Sequence, residues 1–210
     1  MGRGRFIVFE GIDGSGKTTQ MKLFSQRLKA DGMSCCETRE PTDGPVGALV
    51  NQILKKRLAA DEAVTAALFA GDRLDHLLNQ YNGICSKVEQ GIHVVSDRYY
   101  LSSYAYNGSK VPLDWVMKLN EQAARILRPD AHIFVDVPPE LAVRRILDNR
   151  FETELYETTE NLRTVREQFF RVFELVKNEE NIIVVDGSGT LEEIAEEIWS
   201  KTKAILNVGE

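Results

Sequence analysis

The chain has 210 residues, enough for one domain to bury a core without disulfides or metal staples. Its 43% hydrophobic and 28% charged content is ordinary for a soluble globular protein, and no run approaches the length of a membrane span. A formal charge of −6 argues against nonspecific nucleic-acid binding as the main task.

In chain order, short apolar runs alternate with helical patterns. The first strand is expected over Arg5–Glu10 and runs directly into Gly11-Ile12-Asp13-Gly14-Ser15-Gly16-Lys17-Thr18. Further strands are expected over Ser34–Arg39, Ile92–Asp97, Ala131–Asp136 and Asn181–Asp186. The runs Ile133-Phe134-Val135 and Ile182-Ile183-Val184-Val185 are continuous, as in parallel strands covered on both faces. Ala63, Ala66, Ala67, Ala70, Leu74, Leu77 and Leu78 form a helical core stripe, with Phe69 at its margin. Leu162, Val165, Phe169, Val172, Phe173 and Val176 repeat at helical spacing within Glu160–Lys177. A last helix is expected over Leu191–Ile205, with Thr190 as its cap. This alternation predicts an α/β fold, a doubly wound five-stranded parallel sheet flanked by helices, with ligands at the carboxyl ends of the strands. No repeat or linker divides residues 1–210, so a single domain is expected.

The glycine-rich segment fits G-x-x-x-x-G-K-[ST] between a strand and a helix, the phosphate-binding loop of the P-loop NTPase class. Its glycines let backbone N–H groups converge on phosphate oxygens at a helix N-terminus. Lys17 would reach the β- and γ-phosphates of a nucleoside triphosphate, and the Thr18 hydroxyl would hold Mg²⁺. Four expected strands end in charge: Glu10 (then Asp13), Arg39-Glu40, Asp97-Arg98 and Asp136. Asp97 reads as the acid that orients Mg²⁺ or its waters. His76, His93 and His132 are dispersed and are assigned structural or surface roles. Cys35, Cys36 and Cys85 lack metal-ligand spacing. They read as thiols of a reducing compartment; a strand starting this early leaves no room for a cleavable signal, and a cytoplasmic protein is expected.

Four blocks together resemble the thymidylate kinase family, which phosphorylates dTMP with ATP. They are Phe9 through Gln20, including Thr19; Thr38-Arg39-Glu40-Pro41; Leu68 through His76; and Asp97-Arg98-Tyr99 with Ser102 through Gly108. Weaker similarity continues through Arg128-Pro129-Asp130 and Asp136 through Glu140. The resemblance implies a nucleoside monophosphate kinase fold, Mg²⁺, ATP and dTMP as ligands, and a homodimer. It implies that Arg98 grips the dTMP phosphate, Asp13 accepts from the 3′-hydroxyl, and Tyr106 crowds the 2′ position. Arg39 belongs to the acceptor side, and Ser103 and Asn107 stand where the family contacts the base or its surroundings; glutamine is more usual at 107. Arg145, or Arg144 instead, would pack on adenine.

Phe69 and Arg73 are i and i+4 and share a helix face. A pyrimidine could stack on Phe69 while Arg73 donates to O4 of thymine; the amino group of cytosine would set donor against donor. Position 14 is glycine where some members carry a loop arginine, so the resemblance implies the lid type. A short lid at about 147–158 offers Arg150 as its arginine, fewer than such lids often carry. The rival readings are another nucleoside monophosphate kinase, since dUMP shares O4, and a nucleotide-binding module without catalysis. The intact Lys17, Thr18, Asp97 and Arg98 speak against the latter.

Overall fold

The first expected strand becomes the middle of a sheet. In a computed structural model, which describes residues 2–149 and 158–206, β1 (Phe6–Glu10) pairs with β3 (His93–Asp97) on one side and β4 (Ala131–Asp136) on the other. β2 (Cys35–Arg39) and β5 (Ile182–Asp186) are the edges, giving the all-parallel order β2-β3-β1-β4-β5. The helices are α1 (Lys17–Ala30), α2 (Pro45–Leu54), α3 (Glu62–Leu78), α4 (Ile84–Glu89), α5 (Tyr100–Tyr106), α6 (Leu113–Ile126), α7 (Pro139–Asn149), α8 (Thr159–Val176) and α9 (Leu191–Leu206). All five strands start within one residue of their expected positions and end as expected.

Successive side chains of β1 enter opposite layers. Phe6 and Val8 join a core with α5, α6 and α8; Ile7 and Phe9 join one with α1 and α9. The six spaced apolar residues of α8 are all buried, and Phe169 and Phe173 close on Phe134 at centroid distances of 4.9 and 5.0 Å. Thr190 caps α9 as expected: its hydroxyl accepts from Glu193 N–H at 3.3 Å, and Glu193 Oε2 accepts from Thr190 N–H at 2.9 Å.

Two expectations change. β5 is an edge strand and Val184 is 41% exposed, so coverage of both faces holds for β4 but not for all of β5. On α3 the buried face contains Ala66, Ala70 and Leu77, but also Thr65, Asp72, Arg73 and His76; Ala67 and Leu78 face solvent. The helix is turned because a polar network beneath it takes those side chains, a cause invisible to apolar periodicity. Residues 147–149 of the expected lid belong to the end of α7, and Thr158 caps α8 by accepting from Asn161 N–H at 3.3 Å. Arg150 lies outside the described residues.

The aromatic contacts of α8 predict that Phe169→Ala costs about 3–5 kcal/mol of stability, measured as a lower urea midpoint at unchanged slope. A loss below about 1 kcal/mol would mean that α8 repacks there.

Candidate active site

The phosphate loop joins β1 to α1 at the centre of the sheet's carboxyl edge. Gly16 caps α1 in the left-handed region at φ 91°. Gly14 has φ 79°, and a Cβ there would lie 2.3 Å from Ala142 O in α7. No side chain fits this backbone without a shift of α7. Lys17 is buried, its Nζ 3.5 Å from Ile12 O and 3.6 Å from Asp13 Oδ1. Burial, and then the nearby Arg98 guanidinium, push its pKa down from the ordinary lysine value. The Thr18 hydroxyl donates to Asp97 Oδ2, while Asp97 Oδ1 is buried without a hydrogen-bond partner. That pair offers oxygen donors to a hard cation, and the unpartnered oxygen fits Mg²⁺. Among the described residues no three His, Cys, Asp or Glu side chains cluster as a metal site, so such an ion would need nucleotide phosphates to complete its shell.

Thr19 is exposed in the first turn of α1. Arg145, not the exposed Arg144, reaches the loop: its Nη1 donates to Ser15 O at 3.2 Å and its Nη2 to Gly187 O at 3.0 Å. Of the two arginines proposed for adenine, it is the one beside the nucleotide loop.

On the acceptor side a cavity of about 570 Å³ opens, lined by Asp13, Phe69, Arg98, Ser103, Tyr106 and Asn107 among others. Arg98 follows β3 at φ 76°, a left-handed conformation costing roughly 1–3 kcal/mol outside glycine. It is held there because its N–H donates to Phe9 O at 2.9 Å and its carbonyl accepts from Ser96 Oγ at 2.9 Å. Arg98 Nη2 donates to Asp13 Oδ1, and Tyr106 OH donates to Asp13 Oδ2 at 3.0 Å while accepting from Asp13 N–H at 3.0 Å. Burial pushes the Asp13 carboxyl up, but Arg98, Lys17 and the Tyr106 hydrogen bond outweigh it and hold the pKa at about 2. Burial is also the largest influence on Tyr106, and it holds the phenol well above its ordinary value, hence neutral.

The base end is arranged differently from the sequence expectation. Phe69 lines the cavity, half-buried. Arg73 lies behind the wall, fully buried, its Nε and Nη2 2.8 and 2.6 Å from Glu40 Oε2 and its Nη1 donating to Ser103 Oγ at 3.0 Å and to Asn120 Oδ1. Asn107 is buried at the cavity wall with its Nδ2 lacking a hydrogen-bond partner. Arg39 stands exposed at the rim, paired with Asp43 at 2.6 Å.

Sequence reading did not single out Glu10, Glu40, Ser102 or Asn120 as site supports. Glu10 and Glu40 carried a signal, acids ending the first and second strands; Asn120, inside an amphipathic helix, carried none. The histidines are structural as expected: His76 bridges Glu40 at 3.1 Å and Thr38 at 2.6 Å, and His132 meets Glu180 at 3.2 Å.

A phosphate loop on a central parallel strand, an acid on the adjacent strand and an arginine-walled cavity beside them define an ATP-dependent nucleoside monophosphate kinase. The thymidylate kinase family model matches residues 9–198. Similar proteins include a probable thymidylate kinase of Pyrococcus abyssi, 34% identical over 96% of this chain and 97% of its own length. A putative thymidylate kinase of Aeropyrum pernix is 38% identical over 82% and 80%, and one of Treponema pallidum is 34% identical over 92% of each. The chain belongs to the thymidylate kinase family.

Two outcomes follow from this geometry. Gly14→Ala is expected to cost about 1–3 kcal/mol and to weaken ATP binding, read by thermal shift with and without ATP, because Ala142 O blocks the added carbon. The Asp13 carboxyl is lowered from its ordinary 3.8 to about 2, so the stability it contributes is present above pH 3.8 and lost as pH falls toward 2. Asp13→Asn should therefore be less stable near neutrality but flatter in urea midpoint between pH 4 and 2; an equally steep acid limb would contradict the ion-pair account.

Proposed function

We propose that this chain transfers the γ-phosphoryl group of ATP to dTMP, giving dTDP and ADP in the supply of dTTP. The observation that carries the reading is the Asp13–Arg98 contact, which ties the phosphate loop to the acceptor cavity. Lys17 and the loop N–H groups would hold the ATP phosphates, and Arg145 would stack on adenine. Thr18 and Asp97 would hold Mg²⁺, which when bound neutralises charge on the phosphates. Arg98 would grip the acceptor phosphate with its planar fork of donors.

The remaining contacts select the acceptor. Asp13 would take the 3′-hydroxyl, and the Tyr106 ring would leave little room at 2′. Phe69 would stack on the pyrimidine, with Asn107 Nδ2 favouring a carbonyl over the cytosine amino group; Arg73, behind the wall, would act only by holding Ser103 in place. No base is required, because a phosphate oxygen is already a nucleophile at neutral pH. We assign the lid charge to Arg150; its replacement by alanine should lower turnover by about 10³-fold or more. Among the described residues no helix is long and apolar enough to cross a membrane. The family resemblance supports a cytoplasmic homodimer.

A coupled assay of ADP release with dTMP, dUMP, dCMP, dGMP and AMP tests the reaction. The highest kcat/KM is expected for dTMP. Turnover with none of the five would overturn the enzymatic reading, and preference for another acceptor would overturn the substrate.

A further inference from the structure

Glu10 ends β1 fully buried, beneath the site rather than in it. Its Oε1 accepts from Tyr99 N–H at 3.1 Å and Ser102 N–H at 3.3 Å, and its Oε2 accepts the Ser102 hydroxyl. A serine hydroxyl has one hydrogen and two lone pairs. With the hydrogen directed at Glu10, only lone pairs remain for Arg98, whose Nη1 donates to Ser102 Oγ at 2.9 Å. The other Nη1 hydrogen goes to Gly11 O at 3.2 Å. One edge of the guanidinium is thus fastened to groups that belong to the protein, while Nη2 meets Asp13 and Tyr106. An arginine can only donate, so the direction of the Ser102 hydroxyl decides whether this anchor attracts or repels it.

We propose that Glu10 is a positioning residue for the acceptor phosphate: acting through the Ser102 hydroxyl, it sets the orientation in which Arg98 meets the substrate. The proposal rests on the reading above that Arg98 grips that phosphate. The competing account is that Glu10 only caps α5 through the two backbone N–H groups. The two separate cleanly, because a cap does not need the Ser102 hydroxyl and the relay does.

Glu10→Gln keeps an oxygen for the backbone N–H groups but sets an amide donor against Ser102 Oγ. Ser102→Ala keeps the backbone N–H and removes the hydroxyl. Each single change is expected to raise KM for dTMP about tenfold, the scale of one charge-assisted hydrogen bond, with KM for ATP within about twofold. Made in the Ser102→Ala background, Glu10→Gln should add less than about twofold, since residues acting through one contact are not additive. Equal factors in both backgrounds, or an unchanged KM for dTMP in either single variant, would overturn the relay. Should Glu10→Gln not fold, Glu10→Asp takes its place in the same comparison of single and double variants. Arg98→Ala is the control: an unchanged KM for dTMP there overturns the acceptor-phosphate reading itself. A raised KM there, beside independent Glu10 and Ser102 factors, overturns only the relay.

Discussion

The ion pair between Asp13 and Arg98 is the contact on which the site depends. It joins the loop after β1 to the residue after β3, and both residues line the acceptor cavity. Neither charge could be taken from water alone at tolerable cost, and together each supplies the other's counter-charge. The pair also explains a backbone anomaly. Arg98 sits at φ 76°, which a non-glycine residue adopts only when its surroundings determine it. Here they do: main-chain bonds to Phe9 and Ser96 fix the peptide, and Gly11, Ser102 and Asp13 fix the guanidinium. The strain is consistent with a side chain directed across the strand ends instead of along them.

What the sequence made legible follows from the range over which each signal acts. Strands appear as unbroken apolar runs a few residues long, so all five were placed to within one residue at their starts. Lys17 and Thr18 sit in a motif whose geometry is local, and Asp97 ends a recognisable strand. The supporting network is not local. Glu10 and Ser102 are 92 positions apart, Arg73 and Asn120 are 47 apart, and Arg73 and Glu40 are 33 apart. Nothing in the spacing of one helix shows which acid from another strand will meet it. The same blindness misjudged α3, where counting apolar residues placed Ala67 and Leu78 inside and left out Asp72, Arg73 and His76.

That misjudgement points to a shared design on the acceptor side. Arg98 is backed by Asp13, and through Ser102 by Glu10; Arg73 is backed by Glu40 and Asn120. In both cases a buried acid stands behind the arginine, Glu10 through Ser102 and Glu40 directly. Arginine suits the position better than lysine would. Its charge is insensitive to burial, and its planar fork lets several protein acceptors fix its orientation at once. The neutral partners Ser102, Ser103 and Asn120 fix the orientation without cancelling more charge.

This arrangement also resolves an apparent mismatch between a chain of net charge −6 and two anionic substrates. Net charge governs the distant field, whereas binding is decided by the groups within a few ångströms. At the loop, phosphates would meet convergent N–H groups and Lys17; in the cavity, Arg98. The nearest acids are already engaged: Asp13 by Arg98, Lys17 and Tyr106, and Glu40 by Arg73 and His76. The exception is Asp97 Oδ1, the one unpartnered carboxylate oxygen among the buried described groups. Left bare it would repel a phosphate, and a divalent cation placed there would convert that repulsion into attraction. The Mg²⁺ proposed for this site would therefore answer the electrostatics of a single oxygen as much as the chemistry of phosphoryl transfer.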